Sequence, residues 1–283
     1  MQRPFHHTVQ DHEPRQVVFL RHGQSTWNQQ NIFIGMTDTP LTADGVLEAR
    51  TAGKLMAEMR IEIDEVYTSL LRRSTKTVWL VMQEMQQEWV PVHKHWRLNE
   101  RNYGALVGMN KKACVEKHGA EQVKRWRRSW DEPPPPMSRQ SRFWPGKDPR
   151  YKTLGITDDM IPASESLKQV VDRTRPFWDE VIVPRLRLNK KVLIVGHENN
   201  LRSILKVLDK IPDNDIINVD IPRSIPLVYT LDPVTLAPMG NRDPETLLTG
   251  KYLGAKDVIK GLQERDRVQV YDLNVQHNLE TVR

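Results

Sequence analysis

Short apolar runs alternate along the chain with longer segments of helical periodicity. Each run has four or five mostly apolar residues, too few for a helix that buries one face, so each predicts a buried strand. The predicted strands are residues 17–20, 65–69, 90–93, 192–195 and 227–231.

The segments between these runs place apolar residues three or four positions apart, which predicts amphipathic helices. In the first of them Thr42 is a suitable N-cap, and Leu47, Leu55, Met56 and Met59 can share one face. The longest also contains Pro176 and Pro184, which predict a kink or a break because proline has no backbone N–H. The predicted helices are residues 41–60, 73–87, 164–188 and 199–208.

Alternation of strands and helices predicts an α/β fold of three α/β/α layers, with a mostly parallel central sheet and helices on both faces. Residues 110–162 interrupt the rhythm and are rich in Pro, Arg, Lys and Trp, so we expect an insertion that forms a lid over one end of the sheet. The predicted organisation is an N-terminal extension (1–16), a catalytic domain (17–254) that contains the insertion, and a tail (255–283).

Composition narrows the class of protein. The 283 residues contain no apolar run of about 18 residues and no apolar segment near the N-terminus, so we expect neither a membrane span nor a secretory signal. Cys114 is the single cysteine, which excludes an internal disulfide and fits a cytoplasmic protein. Lys and Arg outnumber Asp and Glu by 42 to 36, and the dense basic cluster at 124–128 would suit either an acidic small molecule or RNA.

Two predicted strands end in the same way. Residues 17–20 lead to Arg21-His22-Gly23, and residues 192–195 lead to Gly196-His197-Glu198. Ligands bind at the carboxyl ends of strands in open α/β sheets. If the two strands are neighbours, His22 and His197 face one pocket.

Arginines recur beside these strand ends. Arg21 adjoins His22, Arg73 follows the strand at 65–69, Arg101 adjoins Glu100, and Arg202 lies one helical turn after Asn199. Guanidinium groups bind phosphoryl oxygens bidentately and stabilise the charge that spreads during transfer. Asn199 also stands at a predicted helix N-terminus, which favours an anion.

These residues predict phosphoryl transfer through a covalent intermediate. A neutral, oriented imidazole can attack phosphorus and hold the phosphoryl group, so His22 is the predicted nucleophile. Glu100 is the best available carboxylate for the proton of the leaving oxygen, since it follows an apparent strand beside Arg101.

Five segments resemble the cofactor-dependent phosphoglycerate mutases, a branch of the histidine phosphatase superfamily. The resemblance runs from about residue 17 to residue 254. The basic insertion and the segment around Glu100 are its most specific parts. The segments are residues 20–28 (LRHGQSTWN), 96–104 (WRLNERNYG), 126–136 (WRRSWDEPPPP), 225–229 (IPLVY) and 251–254 (KYLG).

The resemblance implies a role for each matching residue. His22 would be phosphorylated by 2,3-bisphosphoglycerate, and Glu100 would act as general acid and base, with no metal. Arg21, Arg73 and His197 would hold the transferring phosphoryl group. The substrate, a phosphoglycerate, would be bound by Ser25, Asn28, Gly35, Arg101, Tyr103, Lys111, Arg127, Arg128 and Asn199.

The chain departs from the family at four positions. Glu198 stands where the family has glycine, and its carboxylate would repel a phosphorylated substrate unless it points away or pairs with an arginine. Ile34 replaces a threonine hydroxyl, Asn102 replaces a histidine, and Ser224 replaces a glycine. Weakened or redirected activity is therefore expected.

Several functions remain open from the sequence. The first is a phosphoglycerate mutase, the second a phosphatase in which water takes the phosphoryl group from His22, and the third a catalytically impaired protein that binds a ligand or a partner. RNA binding would rest on residues 124–128 alone, which the resemblance explains as a lid over an acidic substrate. The family resemblance also implies a homodimer or homotetramer.

Overall fold

A six-stranded sheet forms the centre of the molecule in the computed structural model, which describes residues 12–271. The strand order is β3-β2-β4-β1-β5-β6. The strands are β1 Arg15–Arg21, β2 Glu65–Thr68, β3 Val92–Lys94, β4 Val192–Gly196, β5 Leu227–Leu231 and β6 Lys251–Tyr252.

The four strands β1 to β4 run parallel, and β5 and β6 are antiparallel at one edge. The prediction of a mostly parallel sheet is thereby confirmed. All five predicted strands are present, whereas β6 was not predicted as a strand because two residues carry no readable periodicity. β1 and β4 are direct neighbours, and their last pair is Arg21 opposite Gly196.

Ten α-helices lie within the described residues. They are α1 Thr26–Gln29, α2 Ala43–Glu58, α3 Arg72–Glu84, α4 Lys111–His118, α5 Ala120–Arg128, α6 Pro149–Thr153, α7 Leu167–Phe177, α8 Val183–Arg187, α9 Glu198–Leu208 and α10 Lys256–Tyr271. A π-helical turn, Trp178–Ile182, joins α7 to α8, so the predicted helix at 164–188 is interrupted between its two prolines.

Alternate residues of β1 supply the two halves of the core, as the two faces of a strand require. Val17 and Phe19 join a cluster built with α7 and α9, whereas Val18 and Leu20 join a cluster built with α2 and α3. Helices therefore cover both faces of the sheet, and the three-layer α/β/α class is confirmed.

The apolar face predicted for the first long helix is partly wrong. Leu47 and Met59 are 62% and 59% exposed, and α2 instead buries a row of small residues with Met56. A Cβ atom built on Gly53 would lie 2.7 Å from the carbonyl oxygen of Val81 in α3. This close approach of two backbones leaves no room for larger side chains, so the bulky residues turn to solvent.

The insertion at 110–162 contains three helices, α4 to α6, and docks at the carboxyl end of β2. Arg150 donates to the carbonyl oxygen of Leu70 at 2.8 Å and pairs with Asp38 at 2.9 Å. The side-chain amide of Asn99 donates to the Tyr151 hydroxyl at 2.8 Å. The insertion therefore lies over the end of the sheet where the site is predicted.

The predicted extension and tail are described in part. Arg15 opens β1, so the sheet begins two residues before the predicted catalytic domain, and α10 falls within the predicted tail. The remaining parts of both segments, residues 1–11 and 272–283, lie outside the described residues. Within residues 12–271, none of the helices is both long enough and apolar enough to cross a membrane.

Candidate active site

The two predicted histidines lie together at the carboxyl ends of β1 and β4. The ring centroids of His22 and His197 are 4.9 Å apart. The backbone N–H of His22 donates to the carbonyl oxygen of Gly196 at 3.1 Å, so sheet pairing continues up to the first histidine. Both side chains are buried, His22 to 3% exposure and His197 to 0%.

Hydrogen bonds select one tautomer of His22. Its Nδ1 lies 2.6 Å from the carbonyl oxygen of Gly23, which can only accept, so Nδ1 carries the proton. Nε2 consequently has a free lone pair, which accepts from Nε–H of Arg73 at 3.1 Å. Burial, followed by the charges of Arg73 and Arg21, holds the pKa of His22 well below its ordinary value, so the imidazole is neutral near pH 7.

His197 faces His22, and one of its two ring nitrogens is hydrogen-bonded. Its Nε2 shares a 2.8 Å hydrogen bond with the hydroxyl of Ser69, which follows β2. Its Nδ1 is buried and has no hydrogen-bond partner within the described part of the chain. A buried polar atom in that condition fits a ligand that would complete its hydrogen bonding. Burial, together with Arg73, also lowers the pKa of His197 well below its ordinary value.

Arg73 is hydrogen-bonded directly to His22 and is held by two further contacts. Its Nη1 donates to the carbonyl oxygen of Thr37 at 2.8 Å, and its Nη2 to that of Gly35 at 3.0 Å. Gly35 has φ +55°, a left-handed conformation that glycine adopts without strain. The turn at Gly35 therefore aims a carbonyl oxygen at Arg73 and fixes the guanidinium beside His22.

Glu198 pairs with two arginines that were predicted to bind substrate. Its Oε2 lies 3.0 Å from Nη2 of Arg21, and its Oε1 lies 2.9 Å from Nη1 of Arg128. Arg128 Nη1 also lies 2.6 Å from Oδ1 of Asp220. Glu198 begins α9, where a carboxylate is favoured by the helix dipole, and its φ is not among the positive values in the chain. Glu198 thus meets one of the two conditions under which it would not repel the substrate, pairing with an arginine, but its partners are arginines predicted to belong to the site.

Glu100 is held by backbone N–H groups of two predicted site residues. Its Oε1 accepts from the backbone N–H of Arg101 at 2.7 Å, and its Oε2 lies 3.5 Å from the backbone N–H of Asn199. The side-chain amide of Asn199 donates to the Tyr103 hydroxyl at 3.1 Å. Glu100 is 8% exposed, and its charge acts on Arg73 to raise the pKa of that guanidinium against the effect of burial.

Arg173 of α7 contacts the backbone of the segment that carries Glu100. Its guanidinium group donates to the carbonyl oxygens of Arg97 at 2.8 Å and Asn99 at 3.2 Å, and forms a buried ion pair with Glu165 at 2.6 Å. Glu165 in turn accepts from the backbone N–H of Asn102 at 2.8 Å. The segment that carries Glu100 is thus anchored on both sides of that residue.

Three predicted arginines differ in what they contact. Arg101 is fully buried and donates to the carbonyl oxygens of Trp126 and Arg127 at 2.8 Å, so it holds the end of α5. Arg202 is also fully buried and donates to Oδ1 of Asn199 at 2.9 Å. Arg127 is 7% exposed in the last turn of α5, and its charge lowers the pKa of Glu198.

The remaining predicted binding residues lie in or beside α1 and α4. Ser25 and Asn28 form a capping box at α1, in which Ser25 Oγ donates to Asn28 Oδ1 at 2.8 Å. Lys111 is the first residue of α4, and its backbone N–H donates to the carbonyl oxygen of Asn31 at 2.8 Å. Ile34, which stands where the family has threonine, is 8% exposed.

Asn102 and Ser224, two other departures from the family, form hydrogen bonds with backbone groups of the protein. The Asn102 amide donates to the carbonyl oxygen of Pro162 at 2.7 Å, and its oxygen accepts from the N–H of Gly104. Ser224 has φ +53°, a conformation that favours glycine, while its N–H donates to the carbonyl oxygen of Arg21 at 2.9 Å. The glycine of the family is therefore replaced at a position where the backbone is strained.

Sequence reasoning missed four residues that support the site. Ser69 could have been found, since it is the last residue of a predicted strand and the two histidines lie just beyond the ends of theirs. Asp220, Glu165 and Arg173 carry no local signal, because each reaches the site only through tertiary contacts.

Metal-ligating groups of three or more His, Cys, Asp or Glu are absent from residues 12–271. A cavity of about 810 Å³ between segment 241–254 and α10 includes none of the site residues.

Comparisons with known proteins agree with this geometry. The family model described as histidine phosphatase superfamily (branch 1) matches residues 17–144, which include His22, Arg73 and Glu100. Among solved structures, mycobacterial glucosyl-3-phosphoglycerate phosphatase in complex with VO3 is 22% identical, with a TM-score of 0.58 over 76% of this chain and 92% of that one.

Two further structures share the fold at similar distance. A putative alpha-ribazole-5′-P phosphatase from Escherichia coli is 18% identical, with a TM-score of 0.58 over 86% of this chain and 97% of that one. YhfR from Bacillus stearothermophilus is 18% identical, with a TM-score of 0.59 over 79% and 94%. At such identities these structures establish the fold alone. Over residues 17–144 the chain is therefore similar to the histidine phosphatase superfamily, branch 1.

Proposed function

We propose that the protein is a phosphoglycerate mutase-type phosphotransferase that works through a phosphohistidine at His22. The observation that carries the proposal is the neutral His22 imidazole, whose Nε2 lone pair meets Arg73 and whose ring lies 4.9 Å from that of His197. A nucleophile with its lone pair held among cationic and polar donors is what attack on a phosphoryl group requires.

In the first half-reaction, His22 Nε2 forms a bond to phosphorus while the bond from phosphorus to the donor oxygen breaks. Glu100 gives a proton to the leaving oxygen, so the alcohol departs neutral. Arg73 shifts its hydrogen bond from Nε2 to a phosphoryl oxygen, and Nδ1 of His197 supplies a further contact. The Nδ1–H bond to Gly23 stabilises the positive charge that the attacking ring acquires.

In the second half-reaction, a hydroxyl group takes the phosphoryl group. Glu100 removes the hydroxyl proton, the new bond from oxygen to phosphorus forms, and the bond from phosphorus to Nε2 breaks. Donor and acceptor are the 2- and 3-hydroxyl positions of a phosphoglycerate, with 2,3-bisphosphoglycerate as the compound that first phosphorylates His22. Tyr103, Lys111 and Arg127, which belong to the lid or face it, are the proposed contacts to the glycerate portion.

A phosphatase is the second candidate, and a specific observation favours it. Arg21 and Arg128 are already paired with Glu198, which leaves less positive charge for a substrate that carries several anionic groups. Two of the similar structures are named as phosphatases of glucosyl-3-phosphoglycerate and alpha-ribazole-5′-P. In this version water replaces the acceptor hydroxyl, and Glu100 accepts its proton.

Location and assembly follow from the same proposal. We expect a cytoplasmic protein that acts on a small phosphorylated metabolite, as a homodimer or homotetramer, without nucleic acid or membrane partners. Arg127 and Arg128 of α5 fit the anionic substrate because they are buried beside the site, whereas Lys124 and Arg125 of the same helix are exposed.

The test is to incubate the protein with 2,3-bisphosphoglycerate and to look by mass spectrometry for an acid-labile phosphoryl group on His22. We expect the adduct in the wild type and its loss in His22→Asn. Transfer of the adduct to 3-phosphoglycerate supports the mutase, and loss only to water supports the phosphatase. No adduct from either 2,3-bisphosphoglycerate or 4-nitrophenyl phosphate would contradict both and leave a ligand-binding protein without turnover.

A further inference from the structure

Four charged side chains form a continuous row beside the histidines. The order is Arg21, Glu198, Arg128 and Asp220, with successive contacts of 3.0, 2.9 and 2.6 Å. All four side chains are between 9% and 17% exposed. Two positive and two negative charges therefore balance within the row, and its two arginines are ones that the family resemblance implied would bind the substrate.

The carboxylate of Glu198 keeps its charge despite burial. Burial alone would raise the pKa of Glu198, but Arg21, Arg128, Arg202 and Arg127 together hold it well below its ordinary value. Near pH 7 the protein thus carries a fixed anion in contact with two guanidinium groups. Any further anion brought to those groups meets its repulsion.

We propose that Glu198 is a specificity-determining residue, an internal anion that occupies Arg21 and Arg128 and so disfavours ligands with a second anionic group. A single phosphoryl group can still bind at His22, Arg73 and His197, because these three residues are not part of the row. A bisphosphate needs more cationic partners, and two of the arginines beside the histidines, Arg21 and Arg128, are already paired with Glu198.

The internal anion also bears on the choice of acceptor, a consequence that rests on the proposed function. A mutase must retain the bisphosphate between its two half-reactions, whereas a phosphatase needs to hold only one phosphoryl group. Glu198 would therefore shift the fate of the phosphohistidine from the hydroxyl acceptor toward water. The internal anion and the phosphohistidine are tested by separate measurements.

The experiment compares two anions on a background that cannot react. In His22→Asn and in His22→Asn/Glu198→Gln, calorimetry measures the dissociation constants of 2,3-bisphosphoglycerate and of inorganic phosphate. The change Glu198→Gln keeps nearly the size of the side chain and removes its charge, so we expect the bisphosphate to bind about tenfold more tightly, the effect of one unit charge near the ligand. Phosphate should change less than about threefold on the same scale.

Two controls separate charge from general disturbance. Glu62→Gln removes a carboxylate that pairs with Lys191 at the opposite end of the sheet, and should leave both constants unchanged. Glu198→Ser is a second variant that removes the charge if the glutamine variant does not fold, and it should favour the bisphosphate in the same direction.

The outcomes are distinct. Selective tightening of the bisphosphate in either variant of Glu198 supports the inference. Equal changes for both anions, no change, or weaker bisphosphate binding would overturn it. Phosphorylation of His22 is followed separately in the wild type, so a protein that fails to form phosphohistidine contradicts the proposed function without affecting the ratio of dissociation constants.

Discussion

At the scale of single residues, the proposed mechanism makes opposite demands on His22 as nucleophile and on Glu100 as proton carrier. His22 must be unprotonated at Nε2, and burial beside Arg73 and Arg21 keeps it so. Glu100 must exchange a proton with an alcohol, and its carboxylate is held by two backbone N–H groups, at 2.7 and 3.5 Å. The end of β1 positions His22, and a loop positions Glu100.

Replacing Glu100 should affect substrates according to their leaving groups. For Glu100→Gln we expect phosphorylation of His22 by 2,3-bisphosphoglycerate to slow by about 10²–10⁴-fold, the usual range for loss of a general acid. With 4-nitrophenyl phosphate the loss should be less than about tenfold, because its leaving group needs no proton. Rapid-quench measurement of the phosphohistidine checks both rates. Equal losses with the two donors would contradict the role, and Glu62→Gln is the matched control.

Residue types near the strand ends could be predicted from sequence, because strand ends and neighbouring arginines are local signals. His22, His197 and Arg73 were placed together on that logic, and the structure brings them together. The pairing of Glu198 could not be foreseen in detail. Arg128 is 70 positions away in the chain and reaches Glu198 only because α5 packs beside the start of α9.

At the scale of elements, α7 determines where Glu100 lies. Arg173 projects from α7 to the carbonyl oxygens of the Glu100 segment, and Ser166 closes the N-terminus of α7 with a capping box to Gln169. The helix therefore belongs to one layer of the core and also holds the segment of Glu100, the proposed proton carrier. The apolar periodicity of its sequence predicts the helix, whereas the contacts of Arg173 are visible only in the three-dimensional structure.

Removing Arg173 should destabilise the protein and disturb the site. Arg173→Ala leaves Glu165 buried at 1% exposure without its partner, and loss of one member of a buried ion pair costs about 3–5 kcal/mol. Arg175→Ala on the same helix breaks the exposed pair with Asp179 and should cost less than about 1 kcal/mol. Urea unfolding of both variants measures the difference. Equal costs would show that the Glu165 pair is not an anchor.

Strand positions were predicted within two residues, since buried strands are short apolar runs bounded by polar residues. The helices of the insertion were not predicted, because α4 and α5 are rich in charged residues and bury only a few side chains, among them Cys114, Val123 and Trp126. Such helices are stabilised by docking rather than by a broad apolar face. Periodicity therefore finds the central layers and misses the lid.

At the scale of the whole molecule, the two buried histidines couple stability to pH. Their pKa values lie well below the ordinary value in the folded protein, so the unfolded chain binds more protons as pH falls. The stability they contribute is fully present above about pH 6.5 and is lost progressively below it. Glu198 stays ionised over this range and adds no slope.

Lowering the pH from 7.5 to 5.5 should therefore reduce the free energy of unfolding by about 1.4 kcal/mol for each of His22 and His197, or about 3 kcal/mol together. Urea unfolding at the two pH values measures the change, to which half-buried His95, with its pKa lowered to about 4, adds a smaller amount. His22→Asn should reduce the change by about 1.4 kcal/mol. A free energy that stays constant or rises on acidification would show that the histidines are already protonated in the folded protein.

The strand order also sets a schedule for synthesis of the chain. His22 directly follows β1, yet the two neighbours of this strand, β4 and β5, begin only at Val192 and Leu227. At about 5–20 residues per second, roughly 10–30 s pass between the emergence of β1 and that of β4. During that interval β1 has no partner on either side, and an unpaired apolar strand invites pairing with other chains. The strand order that joins the two histidines thus requires β1 of the nascent protein to be protected from pairing with other chains until β4 and β5 have been synthesised.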